Sequence, residues 1–308
     1  MDKSILEPTA PTIDVPNISD ISVMVNLNIS KWTARKKDKR ASDQVNNVHN
    51  ARRDASAVHK NLLSGSKNLD AINKQVNVIR KFHVANTSIW DENSGRIIKN
   101  EFYPAYINGI TKEINILEDL INEFVDEYEF DKISAKANLG DLYDENEYPS
   151  SDEIRSKFGV KLTTSPIADP NDFRIDAGGE TKRALEQAMT SYQETLNARV
   201  LNSMNDIYKR LFETLSNISE KLDYQVRTKD TKKFGGNIVS NVLDIVALMR
   251  SCNLTNDTQM NAQADLLENA LRGVSPEALR DSSQLRASTK RSVDEVKKQI
   301  EALPSLDL

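Results

Sequence analysis

A run of basic residues near the N-terminus is the part of the sequence best suited to bind a ligand. Between residues 31 and 60 there are nine basic and three acidic side chains. Lysine and arginine neutralise phosphates, and a neighbouring tryptophan can stack on a base. The sequence therefore predicts a candidate nucleic-acid-binding face, formed by Lys31, Trp32, Arg35, Lys36, Lys37, Lys39, Arg40, Arg52 and Arg53.

Two other interpretations of this basic face stay open. Residues 113–153 hold fourteen acidic and two basic side chains, so this acidic segment could pair with the basic face inside the chain. Charges on an exposed helix face are also commonly just solvated. Whether the basic face is open or covered is the observation that separates these alternatives.

The histidines and carboxylates do not form a recognisable catalytic or metal-binding pattern. His49, His59 and His83 are the only histidines, and none lies three or four residues from another. Metal-binding helices need that spacing to place two imidazoles on one ion. A loop cluster of carboxylates could hold a divalent cation but lacks the regular register of a calcium loop; it comprises Asp141, Asp144, Glu145 and Glu147.

The glycines and the cysteine add no catalytic signature. Gly178–Gly179 and Gly235–Gly236 precede predicted helices, where free backbone N–H groups could hold an anion, but neither pair fits a nucleotide-binding motif. The single Cys252 excludes an intrachain disulfide and a multi-cysteine metal site. We therefore predict a non-enzymatic protein with no cofactor and no metal.

The strongest structural signal is an amphipathic helix over residues 180–226. Its apolar residues recur every three or four positions, without an internal proline or glycine. A helix of this length must pack lengthwise against other helices. The predicted fold is mainly α, an elongated antiparallel helical bundle or coiled-coil hairpin with a small β insertion at one end.

The remaining elements follow from local periodicity, capping and turn residues. We predict a strand at 21–29, a basic helix from 33 to before Gly65 paired with a helix at 66–84, and a β-hairpin at 87–98. The apolar inner stripe of the basic helix is predicted to be Ala41, Val45, Val48, Ala55, Val58 and Leu62. A helix from Pro104 to about 129 follows, and helices are predicted at 238–249, 257–272 and 283–303. In the tip at 138–179, Ser150 and Glu153 have the spacing of a capping box and open a short helix that ends by Gly159, and residues 160–167 and 173–175 are extended. The predicted divisions are a flexible lead-in at 1–20, a basic and β part at 21–103, a long helical hairpin at 104–233 and C-terminal helices at 234–308.

One helix suggests a protein partner. Residues 238–249 are apolar nearly all round, so this helix must be buried in the bundle or against another protein. The long helix steps by four through residues 192–208, and this departure from a heptad favours the spine of an intrachain bundle over a free dimerisation rod. The preceding helix is expected to cover half of it and to leave residues 196–204 uncovered. We therefore predict a protein partner or self-association through Leu196, Val200, Met204, Val242, Ile245, Val246 and Met249.

Composition limits the class of protein. The chain of 308 residues is 38% hydrophobic and 28% charged, with a formal charge of −5. It has no apolar run of membrane-spanning length and no secretion signal pattern. We expect a cytoplasmic protein that does not enter a membrane.

Three stretches resemble a family of uncharacterised helical proteins of bacteriophages, prophages and mobile elements: ISVMVNLNISKWTARKKDKRASDQV, HVANTSIWDENSGRII and YPSSDEIRSKFGVKLTTSPIADPNDFRID. The resemblance spans about residues 23–300 and carries no transferable functional residues. It implies the cytoplasm of a bacterial host, and a MoxR-type AAA+ ATPase or a von Willebrand A-domain protein as a possible partner.

The sequence thus leads to three hypotheses about function. The first is a non-enzymatic adaptor or assembly factor of phage infection, oligomeric, that partners another protein. The alternative is a nucleic-acid-binding protein of phage replication or recombination that uses the basic face. The third is a structural component of the virion.

Overall fold

The protein is mainly α-helical and carries small antiparallel sheets, as predicted. The computed structural model describes residues 18–91, 95–169, 179–223 and 237–303. The predictions at Gly178, Gly235–Gly236 and residues 173–175 fall outside these residues. The helices are α1 (Ile18–Ile21), α2 (Lys39–Val48), α3 (Lys67–Asn86), α4 (Tyr103–Leu139), α5 (Ser151–Ile154), α6 (Gly179–Leu222), α7 (Ile238–Ser251), α8 (Thr258–Leu271), α9 (Pro276–Asp281) and α10 (Ser283–Glu301).

The strands form two sheets. They are β1 (Ser22–Ser30), β2 (Arg35–Asp38), β3 (Val58–Asn61), β4 (Ser88–Ile89), β5 (Arg96–Lys99) and β6 (Gly159–Pro166). One sheet has the order β4-β5-β1-β6, and β2 and β3 form the other. The predicted hairpin at 87–98 is confirmed as antiparallel β4 and β5, with Ser88 opposite Ile97. The predicted strands at 21–29 and 160–167 are confirmed as β1 and β6.

The chain divides into two compact units, each assembled from separate segments. Unit 1 contains Met1–Asn26, Val84–Tyr106 and Thr163–Leu308, and unit 2 contains Leu27–His83 and Ile107–Leu162. This division differs from the four consecutive parts predicted from sequence. Periodicity along a chain reports local elements, whereas a compact unit is decided by contacts between distant segments.

Unit 1 is built around the long helix α6, which is confirmed over Gly179–Leu222. From Leu196 to Leu222 its inward residues follow the predicted spacing and are almost fully buried, whereas Leu185, Met189 and Tyr192 are half-buried. Helices α7 and α10 and strand β4 pack on α6, and α8 packs on α7 and α10. The core residues contributed by α6 include Val200, Ile207, Leu211, Leu215 and Ile218.

The predicted partner surface has to be corrected, because its residues belong to this core. All seven have at most 8% of their surface exposed. The C-terminal helices of the same chain cover this face of α6. The sequence pattern did not show that these helices pack there, so it left the apolar residues of this face without a partner within the chain. The buried residues are Leu196, Val200, Met204, Val242, Ile245, Val246 and Met249.

Unit 2 has its own core, formed by α3 and the larger part of α4. Ile72, Val76 and Ile79 of α3 are buried, and so are Leu117, Ile121, Phe124 and Tyr128 of α4. Three residues of α3 and its preceding turn donate side-chain hydrogen bonds to α4: Ser66 to Asp131, Asn68 to Glu127 and Gln75 to Glu113. The α3 prediction is confirmed, and α4 continues ten residues beyond its predicted end near 129.

Within residues 18–91, 95–169, 179–223 and 237–303, no helix has the length and apolarity needed to cross a membrane.

Candidate nucleic-acid interface

The basic segment of unit 2 is not the single helix that was predicted. It forms strand β2, helix α2 and strand β3, with β2 and β3 antiparallel and Lys36 opposite Lys60. Asp38 ends β2 and caps α2, because its carboxylate accepts a hydrogen bond from the backbone N–H of Ala41 at 2.8 Å. The first helix of the predicted hairpin, from residue 33 to before Gly65, is therefore corrected to a small β-ribbon with one short helix, whereas the second helix is confirmed as α3.

Helix α2 is polar on its inner side and apolar on part of its outer side. Ser42 and Asn46 are almost completely buried, whereas Val45 is 39% and Val48 is 77% exposed. The Ser42 hydroxyl donates to the Asp38 carbonyl and accepts from the Val58 N–H. Asn46 is hydrogen-bonded to the carbonyls of the following loop and to the Ser56 hydroxyl. Hydrogen bonds to the ribbon and loop thus replace the predicted apolar stripe.

Lys60 is buried at the centre of this site. Its ammonium lies 2.6 Å from a Glu147 carboxylate oxygen, 3.3 Å from an Asp38 carboxylate oxygen and 2.6 Å from the Leu142 carbonyl oxygen. Only 6% of the Lys60 side chain is exposed. A lysine this deeply buried needs such partners, because an unpaired ammonium out of water is strongly unfavourable.

The protonation states fit this arrangement. The backbone N–H of Ala41 and the ammonium of Lys60 hold the pKa of Asp38 below its ordinary value, although burial acts in the opposite direction. Burial alone would lower the pKa of Lys60, but the hydrogen bonds to Glu147 and Asp38 raise it above its ordinary value. Lys60 and Asp38 are therefore both charged at neutral pH.

Five cations beside this buried group remain exposed and form what we call the basic strip. They are Arg35, Lys36, Lys37, Lys39 and Arg40. Across the parts of the chain that the structure describes, none of them forms an ion pair. Five positive charges within six consecutive residues make this the densest basic surface of unit 2, and it is available to an anion.

The other predicted residues of the basic face are placed differently. Lys31 donates a hydrogen bond to the Asn73 side chain at 2.5 Å. The half-buried ring of Trp32 packs edge-on with Tyr128, with 6.0 Å between ring centroids. Arg52 pairs with Asp54 at 3.3 Å on the surface, and Arg53 is exposed beside it. Trp32 is therefore a packed residue with only part of its ring accessible, rather than a free stacking platform.

The acidic segment neutralises the basic face at one point. Glu147 pairs with Lys60. A cavity of about 620 Å³ is lined both by four cations of the basic strip and by three carboxylates of the acidic segment: Lys36, Lys37, Lys39, Arg40, Asp141, Asp144 and Glu147. Asp144 accepts hydrogen bonds from the backbone and side chain of Asn146. Among residues 18–91, 95–169, 179–223 and 237–303, no group of His, Cys, Asp and Glu has the arrangement to hold a metal ion.

Sequence reasoning did not identify Lys60, Asp38 and Glu147 as one site. Lys60 and the Leu142 carbonyl that it contacts are 82 residues apart in sequence. The available signal was Asp38 itself, an aspartate placed three residues before Ala41 in a basic run, which is typical of a helix N-cap. That signal locates the start of α2 but does not reveal the partner of Lys60.

Fold and site together define a mainly α protein that carries a basic two-stranded ribbon. Comparison of the chain with protein-family models, curated proteins and solved structures finds no match. The resemblance to helical proteins of phages and mobile elements therefore stays a prediction. The same holds for the partners that it implies.

Proposed function

We propose that this chain is a non-enzymatic nucleic-acid-binding protein that contacts the phosphate backbone through the basic strip. The observation that supports the proposal is the exposure of Arg35, Lys36, Lys37, Lys39 and Arg40 without an acidic partner among the described residues. Exposed cations without an internal ion pair contribute most to the free energy of phosphate binding, because binding releases condensed counterions and breaks no ion pair of the protein.

The ribbon gives the strip a suitable shape. A two-stranded antiparallel ribbon fits the major groove of B-form DNA. Helix α2 and the β2–β3 ribbon are tied together through Asp38 and Ser42, so the charges on both elements are held in one arrangement. Backbone contacts of this kind position a protein but do not read sequence, so binding is expected to depend weakly on base sequence.

Binding is tested by fluorescence anisotropy of a labelled DNA duplex and a labelled single strand over a series of salt concentrations. The variant carries Arg35→Gln, Lys37→Gln, Lys39→Gln and Arg40→Gln. The matched control removes four exposed cations of α3 in the same unit, Lys67, Lys74, Arg80 and Lys81, by the same change. Both variants therefore have the same net charge.

The expected result is a shallower salt dependence in the strip variant alone. Each lost phosphate contact reduces the slope of log K against log salt by about 0.9, so four contacts reduce it by about 3 to 4. Equal losses in the two variants would mean that net charge, rather than the strip, attracts the DNA. Lack of binding by the unmodified protein at low salt would refute the proposal.

The other hypotheses have less support from the site. The adaptor role, a partnership with an AAA+ ATPase, a virion role, the host cytoplasm and an elongated bundle or coiled-coil hairpin all stay predictions. The adaptor hypothesis has also lost the surface first assigned to it, because those seven residues lie in the core of unit 1.

A further inference from the structure

Three large apolar side chains of unit 2 are exposed far beyond the others. Val48 is 77% exposed, Phe130 is 74% and Ile133 is 69%, whereas the other exposed large apolar side chains of the described residues lie between 39% and 43%. Single exposed apolar residues are ordinary, but an aromatic and a β-branched residue exposed together on one helix mark a contact surface.

Phe130 and Ile133 belong to a continuous outward face of α4, here called the α4 stripe. Its members are spaced alternately by three and four residues, and all are exposed: Ile116, Asp119, Glu123, Asp126, Phe130, Ile133 and Ala137. This spacing keeps side chains on one side of a helix, as in the seam of a coiled coil. The stripe is acidic in its middle and apolar towards its C-terminal end.

Two copies of the stripe do not pair favourably either in parallel register or in the antiparallel arrangement centred on Asp126. In parallel register, Asp119, Glu123 and Asp126 would each face an identical carboxylate. In an antiparallel arrangement centred on Asp126, Glu123 would face Phe130 and Asp119 would face Ile133. Both arrangements bury carboxylates without a cation, which is costly. The occupant of the stripe must therefore present cations next to an apolar residue.

The outer face of α2 has that complementary pattern. Arg40, Gln44 and Val48 follow one another at four-residue spacing on the exposed side of α2, and Val45 lies beside them. Arg40 and Val48 are about 12 Å apart along a helix axis, and Glu123 and Phe130 are about 10.5 Å apart along theirs. In both helices the charged residue precedes the apolar one.

We propose that α2 of one copy of this chain packs in parallel on the α4 stripe of a second copy. Val48 then lies against Phe130 and Ile133, and Arg40 pairs with Glu123. The two surfaces are different, so a pair of copies keeps one free α2 and one free stripe, and further copies add head to tail. The contact is small, so assembly is weak and grows with protein concentration.

Sedimentation equilibrium of the full chain without nucleic acid tests this contact. The α2 variant is Val48→Ser, and the stripe variant combines Phe130→Ser with Ile133→Ser. The matched control is Val78→Ser, which changes an exposed valine of α3 in the same unit. All four residues are on the surface, so the folded state should tolerate the changes, and circular dichroism checks this.

As the protein concentration is raised to about 0.5 mM, the weight-average mass of the unmodified protein is expected to reach at least twice the monomer mass, and the control should behave in the same way. Each test variant should stay monomeric. A mixture of the two test variants restores association but stops at the dimer, because each retains only one half of the contact. Monomeric behaviour of the unmodified protein at this concentration would overturn the proposal. So would dimers in either variant alone, or a mixture that does not associate.

The outcome is independent of the proposed nucleic-acid binding. Val48, Phe130 and Ile133 lie outside the basic strip, so the three serine variants are expected to bind DNA with an unchanged salt slope. Arg40 belongs to both surfaces, so saturating DNA is expected to reduce the mass of the assembly.

Discussion

Replacing Lys60 by methionine should destabilise unit 2 strongly. The change removes the ammonium that lies 3.3 Å from Asp38 and 2.6 Å from Glu147, and it leaves both carboxylates without their cation. The exposed fractions of these two side chains are only 9% and 16%. Breaking a buried ion pair by removing one partner costs about 3 to 5 kcal/mol of unfolding free energy. The lost hydrogen bond to the Leu142 carbonyl adds to this cost.

The two tryptophans allow the units to be followed separately. Trp32 lies in unit 2 and Trp90 in unit 1. In a Trp90→Phe background the fluorescence of Trp32 therefore reports urea unfolding of unit 2. With a urea slope of about 2 kcal/mol/M, a loss of 4 kcal/mol lowers the midpoint by about 2 M. In a Trp32→Phe background, Trp90 should show an unchanged midpoint for unit 1.

A compensated variant separates the ion group from simple loss of packing. Adding Asp38→Asn and Glu147→Gln to Lys60→Met removes the unpaired charges, so most of the lost stability should return. Lys39→Met is the matched control, because Lys39 is exposed and forms no ion pair among the described residues. A loss below about 1 kcal/mol for Lys60→Met, the range of a surface pair, would refute the buried role.

Two further predictions concern the same part of the chain. The pKa of Asp38 is lower in the folded state than in the unfolded state, so its stabilising contribution is present above the ordinary pKa of 3.8 and is lost as pH falls further. Asp38→Asn should therefore weaken the acid dependence of unit 2 below about pH 4, measured by Trp32 fluorescence in the Trp90→Phe background; an unchanged acid midpoint would contradict this. Asn50 has φ of 49°, in the left-handed region. Asn50→Ala should cost about 1 kcal/mol and Asn50→Gly almost nothing, so equal urea midpoints for the two variants would show that this backbone conformation carries no strain.

The parts of the fold that sequence predicts well are those in which a local pattern and the final packing agree. Helix α6 is the clearest example, because its three- and four-residue spacing places Val200, Leu211 and Ile218 on one buried side. The capping box at Ser150 and Glu153 is confirmed for the same reason, since both of its hydrogen bonds are made within one turn. Local chemistry alone decides such elements.

Helix α2 shows why the candidate site was harder to predict. A valine spacing suggested an apolar inner face, but Ser42 and Asn46 point inward and Val48 points outward. The reversal depends on hydrogen bonds to Val58, Ser56 and the Arg53 carbonyl, which join α2 to strand β3 and to the loop that precedes it. Hydrophobic periodicity contains no information about such pairing. The composition of the basic strip was visible in the sequence, whereas its exposure was not.

The interleaved segments of the two units also impose an order on synthesis. All of unit 2 lies within residues 27–162, so every residue that it needs has been made before α6 begins. Unit 1 is different, because its core combines Trp90 and Ile97 with residues of α6, α7 and α8, which are synthesised later. In a nascent chain that has not yet reached these helices, β4 and β5 are therefore exposed, although every residue of unit 2 has already been made. Sequence separations of this size slow folding and favour aggregation of the waiting strands. The basic strip would then be ready to meet a polyanion while the rest of the protein is still on the ribosome.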